Sequence, residues 1–252
     1  MSSGAVPVTP VLGGVVALLL VTATIVVRLG GFARYRRVAV AGVRGAVQLL
    51  AVSLVITYIV RSPWLVALFI VLMFAIAART AGRRVVTGRA WWWAAVPIAA
   101  GVGPVAALVL VTGAVPATGL VLIPLVGQLI GGALTATALA GRRLLDELGQ
   151  RRGEVEAALA LGLTERDSRL EIARPVAGTA LVPALDQTRT VGLVTLPGAF
   201  VGMLLGGADP VQAGVVQLFV LVALLAVQAV AIQAVLEIVS RGLLAEPDAQ
   251  RR

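Results

Sequence analysis

The chain of 252 residues has no lysine, no histidine and no cysteine. Without lysine there is no P-loop lysine to reach a nucleotide's phosphates, so this is not an ordinary P-loop ATPase. Retinal cannot be held as a Schiff base either, which removes a light-driven pump. Without histidine and cysteine there is no Cys nucleophile, no Ser-His triad and no thiolate or imidazole metal site. Charge is scarce, at 13% of residues, and all 21 cations are arginine against 12 acidic residues. Arginine for lysine, with abundant Ala, Gly and Val, fits a GC-rich genome. The net charge of +9 points to a basic membrane-facing surface, not to nucleic acid.

What is present is apolar. Hydrophobic residues make up 59% of the chain and mean hydropathy is +1.00. A soluble protein cannot hide so much apolar surface, so the composition predicts an all-α, polytopic membrane protein. Residues 1–10 carry no charged side chain, and without a basic n-region no cleaved signal peptide is expected. Seven spans are predicted: 11–27, 38–60, 64–78, 94–111, 120–140, 191–206 and 211–238. Before the sixth, a short helix is expected up to about Gln187, interrupted by the polar run from Asp186 to Thr190. The three tryptophans Trp91, Trp92 and Trp93 beside an arginine cluster read as an interfacial anchor. In the fifth span Pro124, Gly127, Gly131 and Gly132 suit close helix packing or a helix break. No internal repeat and no soluble domain are evident, so 1–252 reads as one transmembrane domain.

Arginine placement orients the spans. Eighteen of the 21 arginines fall on one side when the spans alternate: Arg28 to Arg37, Arg79 to Arg89, Arg142 to Arg174 and the polar tail after Ser240. Only Arg61 lies opposite, while Arg44 and Arg189 lie within or at the edge of spans. The positive-inside rule therefore predicts an outside N-terminus, a cytoplasmic C-terminus and a cytoplasmic segment over 141–175.

That segment holds the one long polar interval, Glu154 to Pro175, EVEAALALGLTERDSRLEIARP. Val155, Ala158, Leu159 and Gly162 fall at helical spacing. Gly162 is placed to stop that helix in a left-handed cap. Thr164 with Asp167 three residues on forms an N-capping pattern. A second helix is expected from Glu165 towards Arg174, stopping before Pro175.

Glu156-Ala157-Ala158, Gly162 after three intervening residues, Ile172 after nine more and then Pro175 resemble the EAA signature of ABC-transporter permeases. The position before the proline departs, being Arg174 where Leu is usual. The resemblance implies a coupling helix that seats in a groove of an ATPase subunit, with Glu156, Ala157, Ala158 and Gly162 as its contact residues. A loop that floats on the bilayer is the plainer alternative. A second resemblance covers most of the chain and is densest from Pro124 to Pro210. The run Leu181-x-Pro183, Asp186, Arg189, Thr190-Val191-Gly192-Leu193-Val194, Leu196-Pro197-Gly198, Gly202 and Asp209-Pro210 is similar to the FetB-type iron-export permeases, which include plant aluminium-tolerance half-transporters. It extends to Arg44 and Gln48 in the second span; at Gly132 some relatives have Asn.

That family implies a permease subunit that exports iron or another metal across the cytoplasmic membrane. It implies a separate ATP-binding subunit carrying ATP and Mg, no cofactor on this chain, and two permease copies per transporter. The residues leave alternatives open: a metal chelate or nucleotide-sugar substrate, or a secondary transporter or scaffold that needs no ATPase. Candidate pathway residues are Gln128, Thr190 and Met203, and Gln217 and Gln228 share a face of the last span. Asp186 and Arg189, at i, i+3 spacing, either touch substrate or only neutralise each other. Arg44 with Gln48 either does the same or snorkels to the interface. Pro183, Pro197 and Gly198 are candidate helix breaks. No metal ligand set is assignable; passing iron would meet only oxygen ligands and Met203.

Overall fold

The computed structural model describes residues 9–31 and 33–244. The residues beyond them, in the uncharged N-terminal stretch and the polar tail, lie outside the described residues. Everything regular among the described residues is helical, apart from one isolated bridge between Val191 and Thr195. Two compact units divide at Ser62 and Pro63.

The first unit is a helix pair. α1 (Pro10–Gly30) is capped by Thr9, whose hydroxyl accepts from the Leu12 amide, and stops at Gly31 in the left-handed region, φ 66°. α2 (Tyr35–Ile59) packs against α1. Leu20 lies over Gly42, where a Cβ would come within 2.4 Å of it. Arg28 stacks on the Tyr35 ring at 5.4 Å. Arg44 and Gln48 are exposed on α2.

The second unit contains α3 (Pro63–Val85), a 3-10 turn over Arg89–Ala94, α4 (Ala95–Thr112), α5 (Gly119–Gln150), α6 (Arg152–Ala160), α7 (Glu165–Ala177), α8 (Val182–Thr190), α9 (Gly198–Leu205) and α10 (Pro210–Ser240). One core layer joins Ala77, Ala81, Ile98, Leu129, Ala133 and Val227 from α3, α4, α5 and α10. Small residues bring backbones together, which is how helices gain packing where lipid supplies no hydrophobic drive. A Cβ on Gly101 would sit 2.6 Å from the Val227 carbonyl oxygen, and one on Gly82 would sit 2.0 Å from that of Trp91. Trp92 and Trp93 stack at 4.2 Å, and Arg83 lies 5.8 Å from the Trp91 ring, so the tryptophan group is tied to an arginine as an anchor would be.

Among the described residues six helices are long and apolar enough to cross a membrane: α1, α2, α3, the 3-10 turn with α4, α5 and α10. The chain is a multi-pass membrane protein. The predicted sixth span, 191–206, is not one helix. α8 has 9 residues and α9 has 8, with 191–197 irregular between them. At ~1.5 Å per residue neither reaches half of a ~30 Å hydrocarbon core. Gly192 takes φ 83°, and Pro197 keeps its predecessor extended and supplies no N–H. The intervening turn closes on itself, with the Gly192 amide on Thr195 O at 2.9 Å and the Val194 amide on Thr190 O at 2.9 Å.

Nevertheless this segment returns the chain from one end of the unit to the other. Leu125 packs with Val220, Gly132 faces Leu224 and Gln228, and Leu144 packs with Leu236 and Val239. The numbers rise together, so α5 and α10 run parallel. The chain leaving α5 passes through α7 beside the far end of α10, so α8 and α9 must bring it back. Two half-helices and a turn do what one span was expected to do.

Further boundaries differ, with α3 running to Val85, seven residues past its predicted end. α5 runs ten residues past its predicted end because Leu144 is buried among Val86, Ala173 and Leu236. α7 runs through Pro175 to Ala177. Ala173 and Ala177 are buried in that same layer, and their packing outweighs the one backbone bond that Pro175 cannot make.

Candidate functional site

Where α5 and α10 diverge from α8 and α9, a cavity of about 590 Å³ opens. α5 lines it with Gln128, Gly131, Gly132 and Thr135, one face at helical spacing. α8 adds Pro183, Ala184 and Gln187, and the start of α9 adds Pro197, Gly198 and Ala199. α10 adds Gln217, Val220, Leu224 and Gln228. Among the described residues no charged side chain lines it. Gly131 is open, with no atom within 4 Å of an added Cβ, whereas a Cβ on Gly132 would come within 2.8 Å of Leu224 and 3.3 Å of the Gln228 amide. Gln217 is 5% exposed, and its Oε1 has no hydrogen-bond partner among the described residues. Such an atom is costly to leave unpaired.

The breaks serve the cavity. Pro197 precedes α9 and has no side-chain acceptor, so the first amides of α9 have no side-chain cap where they border it. Pro183, Pro197, Gly198, Gly131 and Gln128 are thus brought together with Gln217 and Gln228. Gln187 and Thr135 are additional; the signal that could have found them is an uncharged polar residue on a cavity-facing helix. Thr190 and Met203 lie outside the lining, and the Thr190 hydroxyl donates to the Asp186 carbonyl at 2.8 Å. Asp186 and Arg189 are exposed on α8, outside the lining, and among the described residues no ion pair joins them. Gly127 packs under Met73, 2.7 Å from where its Cβ would be, while Pro124 sits inside α5.

The second feature is the hairpin of α6 and α7. Gly162 turns it with φ 94°, and the Leu163 amide bonds Ala158 O at 3.2 Å. Thr164 caps α7, its hydroxyl accepting from the Asp167 amide at 3.1 Å and donating to the Asp167 carboxylate at 2.7 Å. Glu156 accepts from Arg152 at 2.9 Å. Ala157 is exposed and Ala158 half-buried, beside Leu161 at 84% exposure. Arg151 joins the end of α5 to α6 through Glu147 and Glu154, and its hydrogen bonds hold the Glu154 carboxyl below the usual carboxylate range.

Arg166 ties the hairpin to α10. Its Nε donates to Glu237 Oε1 at 2.8 Å and its Nη2 to Oε2 at 2.7 Å, while Arg241 donates to the same carboxylate at 2.6 Å. Glu237 raises the Arg166 guanidinium further above its ordinary value. Neither residue stood out in the sequence, although Glu237 is the one acidic side chain within α10.

Apolar helices around an uncharged polar cavity, with paired half-helices in its wall, make an architecture shared with membrane transport proteins. The chain belongs to the UPF0014 family, described as uncharacterised, whose profile matches residues 12–244. The UPF0014 membrane protein STAR2 of Oryza sativa subsp. japonica is 35% identical over 182 residues, 71% of this chain and 64% of STAR2. The UPF0014 membrane protein YjkA of Bacillus subtilis (strain 168) is 34% identical over 184 residues, 72% of this chain and 74% of YjkA. The Probable iron export permease protein FetB of Escherichia coli (strain K12) is 30% identical over 173 residues, 68% of this chain and 67% of FetB. The resemblance to the family of the FetB-type permeases is therefore borne out. The match spans a little under two thirds of STAR2's length. No solved structure matches the chain.

Proposed function

We propose that the chain is the permease subunit of an ABC transporter that exports iron or another metal across the cytoplasmic membrane. ATP and Mg act on a separate ATP-binding subunit, and two permease copies, each with one such subunit, form the transporter. The observation that carries this reading is the α6–Gly162–α7 hairpin. It presents the EAA spacing on an exposed surface and is anchored by Arg166 to Glu237 at the end of α10. A surface of that kind, on a chain without a lysine for a nucleotide site, needs an ATPase in trans. The metal comes from the name of the FetB relative. Arginine asymmetry supports a cytoplasmic hairpin, an outside N-terminus and a cytoplasmic C-terminus.

The test is reconstitution of the chain with a candidate ABC ATP-binding subunit, followed by ATP hydrolysis and metal efflux measurements. Metal-stimulated hydrolysis and ATP-dependent efflux are expected. Efflux that proceeds without any ATPase would instead make the protein a secondary transporter.

A further inference from the structure

The cavity's chemistry limits what it can hold. It has no carboxylate, no thioether and no cation, but it has four carboxamides, Gln128, Gln187, Gln217 and Gln228. A bare divalent ion here would lose its water without meeting an opposite charge, and ions so placed are costly. The start of α9 makes that worse, because a helix N-terminus carries partial positive charge and its free amides favour anionic oxygen. The carboxamides offer donors and acceptors together, and Gln217 is held nine-tenths buried in the wall.

We propose that this cavity is the substrate site and that it takes the metal as an oxygen-rich complex without net positive charge, of the hydroxycarboxylate-chelate kind, not as the bare ion. Hydroxyl groups of such a complex would donate to the carboxamide oxygens of Gln128, Gln187 and Gln228, while its carboxylate oxygens would accept from the carboxamide NH2 groups and from the first amides of α9. This rests on the export reading above.

The experiment uses the full chain in nanodiscs and equilibrium dialysis with radioactive iron, supplied as ferric citrate or as ferrous ion alone. Ferric citrate should bind saturably and ferrous ion should not. Gln217→Leu and Gln228→Leu should each weaken chelate binding tenfold or more. Gly131→Leu, whose side chain enters open space, should abolish it while the protein stays monodisperse, so the result does not depend on the packing of the glutamine variants. Asp186→Asn should leave it unchanged. Saturable ferrous binding that the glutamine variants remove would overturn the ligand class. Chelate binding indifferent to Gly131→Leu would overturn the site. ATP-driven efflux by the wild-type complex without chelate binding would overturn this inference and spare the export reading. Chelate binding without efflux would do the reverse.

Discussion

The Arg166 guanidinium holds the Glu237 carboxylate through two hydrogen bonds, at 2.8 and 2.7 Å, across 71 residues of sequence. One partner stands in the α7 half of the hairpin, the other in the last turn of α10. α10 also lines the cavity through Gln217 and Gln228, so under the proposed coupling role a push on α7 would reach the cavity wall through this contact. A planar, bidentate contact transmits orientation as well as attraction, which a lysine could not do.

Arg166→Gln and Glu237→Gln should therefore each lower substrate-stimulated ATP hydrolysis by the proposed complex on the order of fivefold, a coupling loss typical of linked sites. The double variant should be no worse than Glu237→Gln alone, because that change already removes the Arg166 contact along with the one to Arg241. Additive losses would show that the two residues act separately.

Gly162→Trp should uncouple the transporter without unfolding the membrane part. Its backbone sits at φ 94°, where any side chain costs ~1–2 kcal/mol, yet nothing lies within 4 Å of an added Cβ. Glu156→Arg should do the same, by breaking the contact with Arg152 and reversing charge on the exposed face. Normal insertion and yield with lost ATP-driven efflux is the expected pattern. Full retention of efflux would remove the hairpin from the coupling role.

The hairpin also tests topology. Because the chain has no cysteine, Glu154→Cys gives a single thiol at an exposed position. A membrane-impermeant reagent should label it in inverted vesicles and not in intact cells. The opposite pattern would invert the whole arrangement of spans.

Glycines divide into two kinds with opposite predicted effects. Gly101→Ala forces a methyl against the Val227 carbonyl oxygen and should cost ~1–3 kcal/mol, read as a lower unfolding temperature in detergent. Gly131→Ala meets open space and should leave that temperature within error. Equal shifts in both would contradict the packing of α4 on α10.

The local features were legible because their determinants are local. Gly162, Thr164 and Asp167 lie within six residues and specify the turn and cap by themselves. Gln128 could be picked out as polar in an apolar span. The continuous span expected over 191–206 failed because hydropathy barely registers Gly192 and Pro197, which decide the backbone there. Pro175 misled in the other direction, since burial of Ala173 and Ala177 is a tertiary effect. Gln187 joins the cavity only because α5 and α10 run parallel and force a half-helix between them. Arg166 and Glu237 are joined by the same long-range arrangement, which no spacing within one segment reveals.

The last prediction concerns Asp186 and Arg189, which sequence spacing allowed either to pair or to meet substrate. On α8 no ion pair joins them and both are exposed, outside the cavity lining. A pair that held the broken segment together would make each single change worse than the double one, since a lone charge near lipid is expensive. The geometry predicts otherwise. Asp186→Asn, Arg189→Gln and the double change should all give wild-type yields of monodisperse protein. Metal efflux from loaded cells then separates the remaining roles. Efflux lost in every variant would place the two residues on the route by which substrate reaches or leaves the cavity. Efflux kept in every variant would confine recognition to the glutamines of α5, α8 and α10. Low yield in both single variants, rescued by the double one, would show that the pair forms in the membrane and that α8 is oriented differently there.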